Sequence, residues 1–223
     1  GALPFTLSGQ IPFYLDAVFE MISGFTTTGS SILPDVEALS RCMLLWRSFS
    51  HWLGGMGILG FMLAIVKMEG GQGIHLLRAE SPGPTVGKMV PRMVDSSKIL
   101  YTIYFALTLV QVVFYLAGGM PLFDSLCNAF ATAGTGGFSV RNSGLADYSA
   151  YLQAVTTVFM VLFGVNFSVY FFLLRRRFRL AWHNSEVRWY FIIILLAIAF
   201  AFPLYWIITG SFKTGAAINA TTP

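Results

Sequence analysis

Apolar residues run almost unbroken through 44–66, 99–116, 151–174 and 189–208, and the stretches between them are alternately glycine-rich and basic. A helix crossing the hydrocarbon core of a bilayer needs about 20 mostly apolar residues. Each run comes close to that length or reaches it, so four spanning helices are predicted. Ala2, Leu3, Pro4 and Phe5 are apolar and no initiator Met precedes them, so residues 1–7 read as the end of a further helix. On that reading the chain is a fragment of something longer.

Two shorter amphipathic stretches, 14–25 and 122–133, lie between the long runs, and about 12 residues cannot span a bilayer. Each ends in a glycine turn, Thr26-Thr27-Thr28-Gly29-Ser30 and Gly134-Thr135-Gly136-Gly137-Phe138. Written without gaps, DAVFEMISGFTTTG (16–29) and DSLCNAFATAGTGG (124–137) set Asp16 over Asp124, Thr27 over Thr135 and Gly29 over Gly137. The expected order is therefore membrane helix, re-entrant helix and turn, membrane helix, used twice. It divides the chain into a first repeat (1–66), a loop rich in Gly and Pro (67–97), a second repeat (98–174), a basic loop (175–187) and the first helix of a third repeat with a polar tail (188–223). Pro203 is expected to kink that last helix.

Composition agrees: 56% of residues are hydrophobic and 11% charged, outside the range of ordinary soluble domains. The fold class is an all-α polytopic membrane protein. Of the 14 Lys and Arg, ten lie in two loops: Lys67, Arg78, Lys88, Arg92 and Lys98, then Arg175, Arg176, Arg177, Arg179 and Arg188. The positive-inside rule makes both loops cytoplasmic. Asp16, Glu20, Asp35, Glu37, Asp124 and Asp147 then fall on the outer face, where acids suit cation entry. The net charge of +4 reports topology, and no nucleic-acid partner is implied. Cys42 and Cys127 have no CxxC or His spacing and read as small apolar fillers.

The two turns carry the candidate chemistry. A dehydrated alkali cation needs oxygens that replace its water shell, and consecutive backbone carbonyls provide them. Aiming several carbonyls to one side requires unusual dihedrals, which Gly adopts at little steric cost, and Thr adds a hydroxyl. Thr26, Thr27, Thr28, Gly29, Thr135, Gly136 and Gly137 are the candidate filter residues, with K+ placed at Thr28, Gly29, Gly136 and Gly137. The short helix before each turn would aim its negative end at the cation.

FEMISGFTTTG, LLWRSFSHWLGGMG, LLRAESPGP and TGGFS together resemble the Trk/Ktr/HKT superfamily of potassium transporters, with its TrkH branch nearest. The resemblance covers nearly the whole chain. It implies four repeats around a pseudo-fourfold axis, each giving one filter strand with a key glycine, here Gly29 and Gly137. It also implies potassium uptake across the cytoplasmic (inner) membrane, with K+ as cargo and no cofactor. The implied partners are the lipid bilayer, a second copy in a homodimer, and a cytoplasmic TrkA-like nucleotide-binding regulatory subunit. The third and fourth strands and the gating loop of the family's third repeat lie outside this sequence, and two strands alone cannot encircle an ion.

Other features have plainer readings beside functional ones. Gly54, Gly55, Gly57 and Gly60 suit close helix packing ahead of a hinge. Arg47 in an apolar helix is a functional residue, or snorkels, or pairs with Glu20 or Glu37. His51 reads as a hydrogen-bonded bundle histidine ahead of a proton relay or metal ligand, having no His or carboxylate at i+3 or i+4. Asn166 holds a neighbouring helix or lines the cavity. Trp46, Trp52, Trp182, Trp189 and Trp206 read as interfacial anchors. Asp16 and Asp124 read as caps of the short helices ahead of a cation lure. Competing functions are a Na+-permeable or Na+/H+-coupled transporter of the same superfamily, a broken-helix solute transporter, and, more distantly, an intramembrane enzyme. The enzyme reading lacks a base for Ser139 and a pair of aspartates at membrane depth.

Overall fold

The computed structural model describes residues 1–57, 89–174, 176 and 185–211. These form two units, 1–167 and 168–223. The first unit opens with α1 (Leu3–Leu7), α2 (Tyr14–Phe25) and α3 (41–57). It continues through α4 (Met89–Ala117), α5 (Leu122–Ala133) and α6 (Ala150–Gly164). α7 (Phe167–Leu174) begins at its edge, and the second unit holds α8 (Ser185–Ser211). Among the described residues there is no strand.

The internal repeat is literal. α2 and α5 have 12 residues each, with Tyr14 standing over Leu122 and Phe25 over Ala133. α3 begins at 41 where α6 begins at Ala150, each after a link of irregular backbone. Both short helices fall where the sequence places them.

α4 shows why this core belongs in lipid. Its buried stripe, Leu100, Tyr104, Thr108, Gln111 and Tyr115, is more polar than its exposed face of Phe105, Leu109, Val113 and Leu116. In water that arrangement would be inside out; in a bilayer the apolar face meets acyl chains and the polar groups pair internally. The Tyr104 hydroxyl donates to the Trp52 carbonyl (3.1 Å), and Trp52 Nε1 donates to Thr108 Oγ1 (3.2 Å). Gln111 Nε2 donates to Tyr115 Oη (2.8 Å), which meets Thr156 Oγ1 of α6 (2.7 Å) and Thr132 Oγ1 of α5 (3.3 Å). One tyrosine thus ties three helices of the second repeat. In α8, Ile193, Leu195, Ile198, Phe200 and Phe202 are exposed, as lipid-facing positions would be.

The structure corrects several boundaries. α4 starts at Met89, inside the stretch 67–97 taken as a loop; Pro91 falls in its first turn, where a missing N–H breaks no helical bond. α8 starts at Ser185, inside the stretch 175–187. The third apolar run, 151–174, is not one helix: α6 ends at Gly164, Val165 turns to extended backbone (ψ 140°), and α7 restarts at Phe167. The remainder of the two basic loops, Gly60, Trp182 and the tail from 212 lie outside the described residues.

Candidate functional site

At the end of α2, the N–H groups of Thr26, Thr27 and Thr28 donate back to the carbonyls of Ile22 (2.8 Å), Gly24 (3.1 Å) and Ser23 (3.0 Å). At the end of α5, Gly134, Thr135 and Gly136 donate to Phe130 (3.2 Å), Thr132 (2.8 Å) and Ala131 (3.2 Å), and Gly137 also reaches Ala131 (3.3 Å). These bonds satisfy the orphan carbonyls that end any helix. They also spend the turns' N–H groups on the helix side. Among the described residues, the carbonyl oxygens of Thr26 to Gly29 and of Gly134 to Gly137 accept no hydrogen bond.

The dihedrals repeat as well. Thr27 and Thr135 both have φ 56°, and Gly29 and Gly137 have φ 82° and 83°, while Thr28 and Gly136 between them stay out of that region. Alternating left- and right-handed residues rotates successive peptides so that their carbonyls face the same side. A β-branched residue at positive φ is an outlier that costs on the order of 1–2 kcal/mol. The same strain at Thr27 and Thr135 is what an obligatory carbonyl direction would require.

The two turns meet. A Cβ built on Gly29 would stand 1.9 Å from the Gly136 carbonyl oxygen, so only a glycine fits there. Behind them runs α3: a Cβ on Gly54 would fall 2.3 Å from the Phe25 oxygen, and one on Gly55 2.4 Å from the Tyr104 hydroxyl. Those two glycines serve close packing, whereas among the described residues no atom lies within 4 Å of a Cβ on Gly57.

A buried ion pair fastens the first turn to the second. Arg47 Nε donates to Glu20 Oε1 at 2.5 Å, and both side chains are essentially inaccessible. Ser31 Oγ and the Ile32 N–H also donate to the Glu20 carboxylate, so the strand leaving the first turn hangs on it. Arg47 Nη1 reaches the Ser139 carbonyl (3.0 Å), just past the second turn, and its guanidinium lies over the Phe138 ring (3.5 Å). Glu20 is therefore no part of an acidic surface. Its line with Ala17 and Gly24, both buried on α2, was the available signal.

The links after the two turns clasp each other through Asn142, a residue the sequence did not single out. Its Oδ1 accepts the Val36 N–H (2.8 Å), its Nδ2 donates to Asp35 (2.7 Å), and its own N–H donates to Glu37 (3.1 Å). Asp124 accepts from the Tyr148 hydroxyl (2.8 Å) and lies 3.9 Å from Arg141. Neither Asp16 nor Asp124 caps its helix: the caps are Phe13 and Pro121, without side-chain bonds, and the acids sit in the first turn. A cavity of about 670 Å³ opens beside this clasp, lined by Glu37, Arg41, Asp124 and Arg141 among others.

Chiefly the Asn142 hydrogen bond holds the Asp35 carboxyl below its ordinary 3.8. A lowered folded-state value means stability present above the ordinary carboxylate range and lost as pH falls through it. The protection factor of the Val36 amide, its exchange rate relative to an unfolded peptide at the same pH, should therefore fall when pH drops from about 6 to about 3, and Asp35→Asn should flatten that dependence. An Asp35→Asn protein that keeps the full pH response would remove Asp35 from the clasp's titration.

His51 departs from expectation. It is fully buried, yet neither ring nitrogen has a hydrogen-bond partner among the described residues; the Ser23 backbone faces the ring without reaching bonding geometry. Cys42 and Cys127 are free thiols.

A family model described as TrkH, a cation transport protein, matches residues 1–213. The Trk system potassium uptake protein TrkH of Salmonella typhimurium is 34% identical over 210 residues, covering 92% of this chain and 44% of the relative. Its counterpart from Halomonas elongata is 36% identical over 200 residues, covering 88% and 41%. The crystal structure of the potassium transporter TrkH from Vibrio parahaemolyticus superposes with a TM-score of 0.77 at 29% identity, over 96% of this chain and 43% of that one. The chain thus spans less than half the length of the relatives it matches.

Proposed function

The chain belongs to the TrkH family of cation transport proteins, and from that premise we propose that it supplies two of four filter strands in a potassium uptake pore. It is an integral membrane protein segment, and the relatives it matches are named as potassium transporters rather than enzymes. The observation that carries the filter reading is the pair of turns in which the N–H groups of Thr26 to Thr28 and of Gly134 to Gly137 bond backwards while, among the described residues, the carbonyls of Thr26 to Gly29 and of Gly134 to Gly137 accept no hydrogen bond, with the same alternation of φ in both.

In this reading the carbonyls of Thr28, Gly29, Gly136 and Gly137 hold dehydrated K+, and those of Thr26, Thr27 and Thr135 extend the lining. The Thr26 hydroxyl, bonded to the Ile22 carbonyl (2.7 Å) and to Thr28 Oγ1 (2.8 Å), acts as a brace and not as a ligand. α2 and α5 direct their C-terminal ends toward the turns, so dipole and carbonyls favour the same charge. Repetition of the Gly29–Gly136 contact would set Gly137 against a third strand; among the described residues no atom lies within 4 Å of a Cβ on Gly137. The divisions 1–66 and 98–174 become the first two repeats of the whole protein and 188–223 the first helix of the third with an outer tail, set in the cytoplasmic membrane with 67–97 and 175–187 toward the cytoplasm. Dimerisation and docking of a TrkA-like nucleotide-binding subunit at that basic face belong to the same proposal.

The test is potassium-limited growth of a strain without its own K+ uptake systems, complemented by the full-length protein carrying these residues. Rescue is expected at low K+. Failure of a well-expressed protein, with its regulatory subunit supplied, would turn the reading toward Na+ or another solute.

A further inference from the structure

On α3, His51 meets the second turn at two of its glycines. A Cβ on Gly134 would stand 2.6 Å from the His51 carbonyl oxygen. A Cβ on Gly136 would stand 2.4 Å from His51 Cε1 and 2.7 Å from each ring nitrogen. Three adjacent ring atoms at nearly equal distance mean that the imidazole lies face-on over the Gly136 Cα. The ring also stacks on Phe138, with centroids 3.9 Å apart and planes 14° apart. Phe138 in turn carries the Arg47 guanidinium. The contacts therefore run from imidazole to the Gly136 Cα, and from the Gly136 carbonyl to Gly29.

A buried imidazole with neither nitrogen bonded is an expensive way to fill space, since polar groups taken from water ordinarily find partners. What the position uses is the flat face. An aliphatic side chain is too thick for a slot between a main-chain Cα and a stacked phenyl ring, whereas a planar ring occupies it without displacing either.

We propose that His51 is a positioning residue for ion selectivity: its ring is a flat spacer that fixes the peptide plane of Gly136 and thereby the aim of that carbonyl. The proposal rests on the filter reading above. His51 touches no ion and acts only through Gly136, whose oxygen abuts Gly29. Selectivity depends on the number and placement of carbonyl dipoles, so a strand free to tilt loses discrimination before it loses conduction.

The experiment measures K+ and Na+ flux ratios for the full-length protein reconstituted in liposomes. His51→Ala is expected to lower the K+/Na+ ratio about tenfold, which corresponds to ~1.4 kcal/mol of discrimination. His51→Phe, a planar ring without nitrogens, should stay within about twofold of the parent on the same scale. Gly136→Ala should abolish uptake alone and regain measurable uptake when combined with His51→Ala, because the methyl enters the vacated space. Should His51→Ala not assemble, His51→Leu takes its place with the same expected loss of selectivity. A folded His51→Ala protein with the parent's ratio overturns this inference alone. So does a His51→Phe protein that falls as far as His51→Ala, since the ring nitrogens would then carry the role. A parent that moves no K+ overturns the filter reading and this inference with it.

Discussion

Gly29→Ala in the full-length protein should abolish K+ uptake without removing the protein from the membrane. The added methyl would need the place of the Gly136 carbonyl oxygen, 1.9 Å away, and that oxygen belongs to backbone that cannot swing aside like the end of a side chain. Relief requires one strand to move by more than an ångström. At a site whose ligands must be placed within about 0.5 Å, a displacement of that order costs roughly 100-fold. Backbone strain alone is a smaller matter. Gly9 has a similar φ (71°) with nothing within 4 Å of its would-be Cβ. Gly9→Ala should therefore cost only ~1–2 kcal/mol of local stability and leave uptake within a few-fold of the parent. Rb+ uptake by cells expressing each variant at equal levels separates the two effects. Comparable uptake by Gly29→Ala and Gly9→Ala proteins would mean that the two strands do not meet as described.

How far each feature could be read from the sequence follows from the distance over which its cause acts. α2 and α5 were legible to the residue because their determinants are local: a first-turn acid, a short amphipathic run and a glycine turn, all repeated in the second half. The break at Val165 was not, because it sits in an apolar run and lipid-facing residues give no polar mark where a helix stops. The start of α4 at Met89 was hidden by Pro91, a residue that more often ends a helix than sits in its first turn. The candidate filter residues themselves were named from the composition of the turns and from the family resemblance. Of what braces them, the pairing of Arg47 with Glu20 was among the readings the sequence offered, whereas the reach of Arg47 to Ser139, the cover of His51 over Gly136 and the hold of Asn142 on Asp35 and Glu37 were not. These last three contacts join one repeat to the other, so no periodicity within either repeat announces them. His51 shows the failure most plainly, since i+3 and i+4 neighbours say nothing about a glycine in the next repeat.

Breaking the ion pair behind the turns should cost more than any other single polar change in the described residues. Glu20→Gln keeps the shape and one acceptor oxygen but leaves the Arg47 guanidinium buried without a counter-charge, against the Ser139 carbonyl and the Phe138 ring. Removing one partner of a buried pair costs about 3–5 kcal/mol, because the remaining charge is uncompensated. A single amide oxygen also cannot serve both Arg47 Nε and the Ile32 N–H, which bond different carboxylate oxygens, so one of those two bonds is lost as well. A loss of that size is a large fraction of a typical domain's ~5–15 kcal/mol, so the Glu20→Gln protein should melt early in detergent and accumulate poorly. Arg47→Lys should not substitute, since an ammonium lacks the planar fork that meets a carboxylate and a carbonyl at once. The double variant Glu20→Gln with Arg47→Met removes both charges and should recover at least half of the lost stability, by ~2 kcal/mol or more. Thermal unfolding followed by size-exclusion chromatography reads all three. A double variant no more stable than Glu20→Gln alone would show that the pair's hydrogen bonds to both strands, and not its charge balance, hold the two repeats together; in that case selectivity should fail in step with stability across the series, because the element that closes the fold would be the same one that aims the carbonyls.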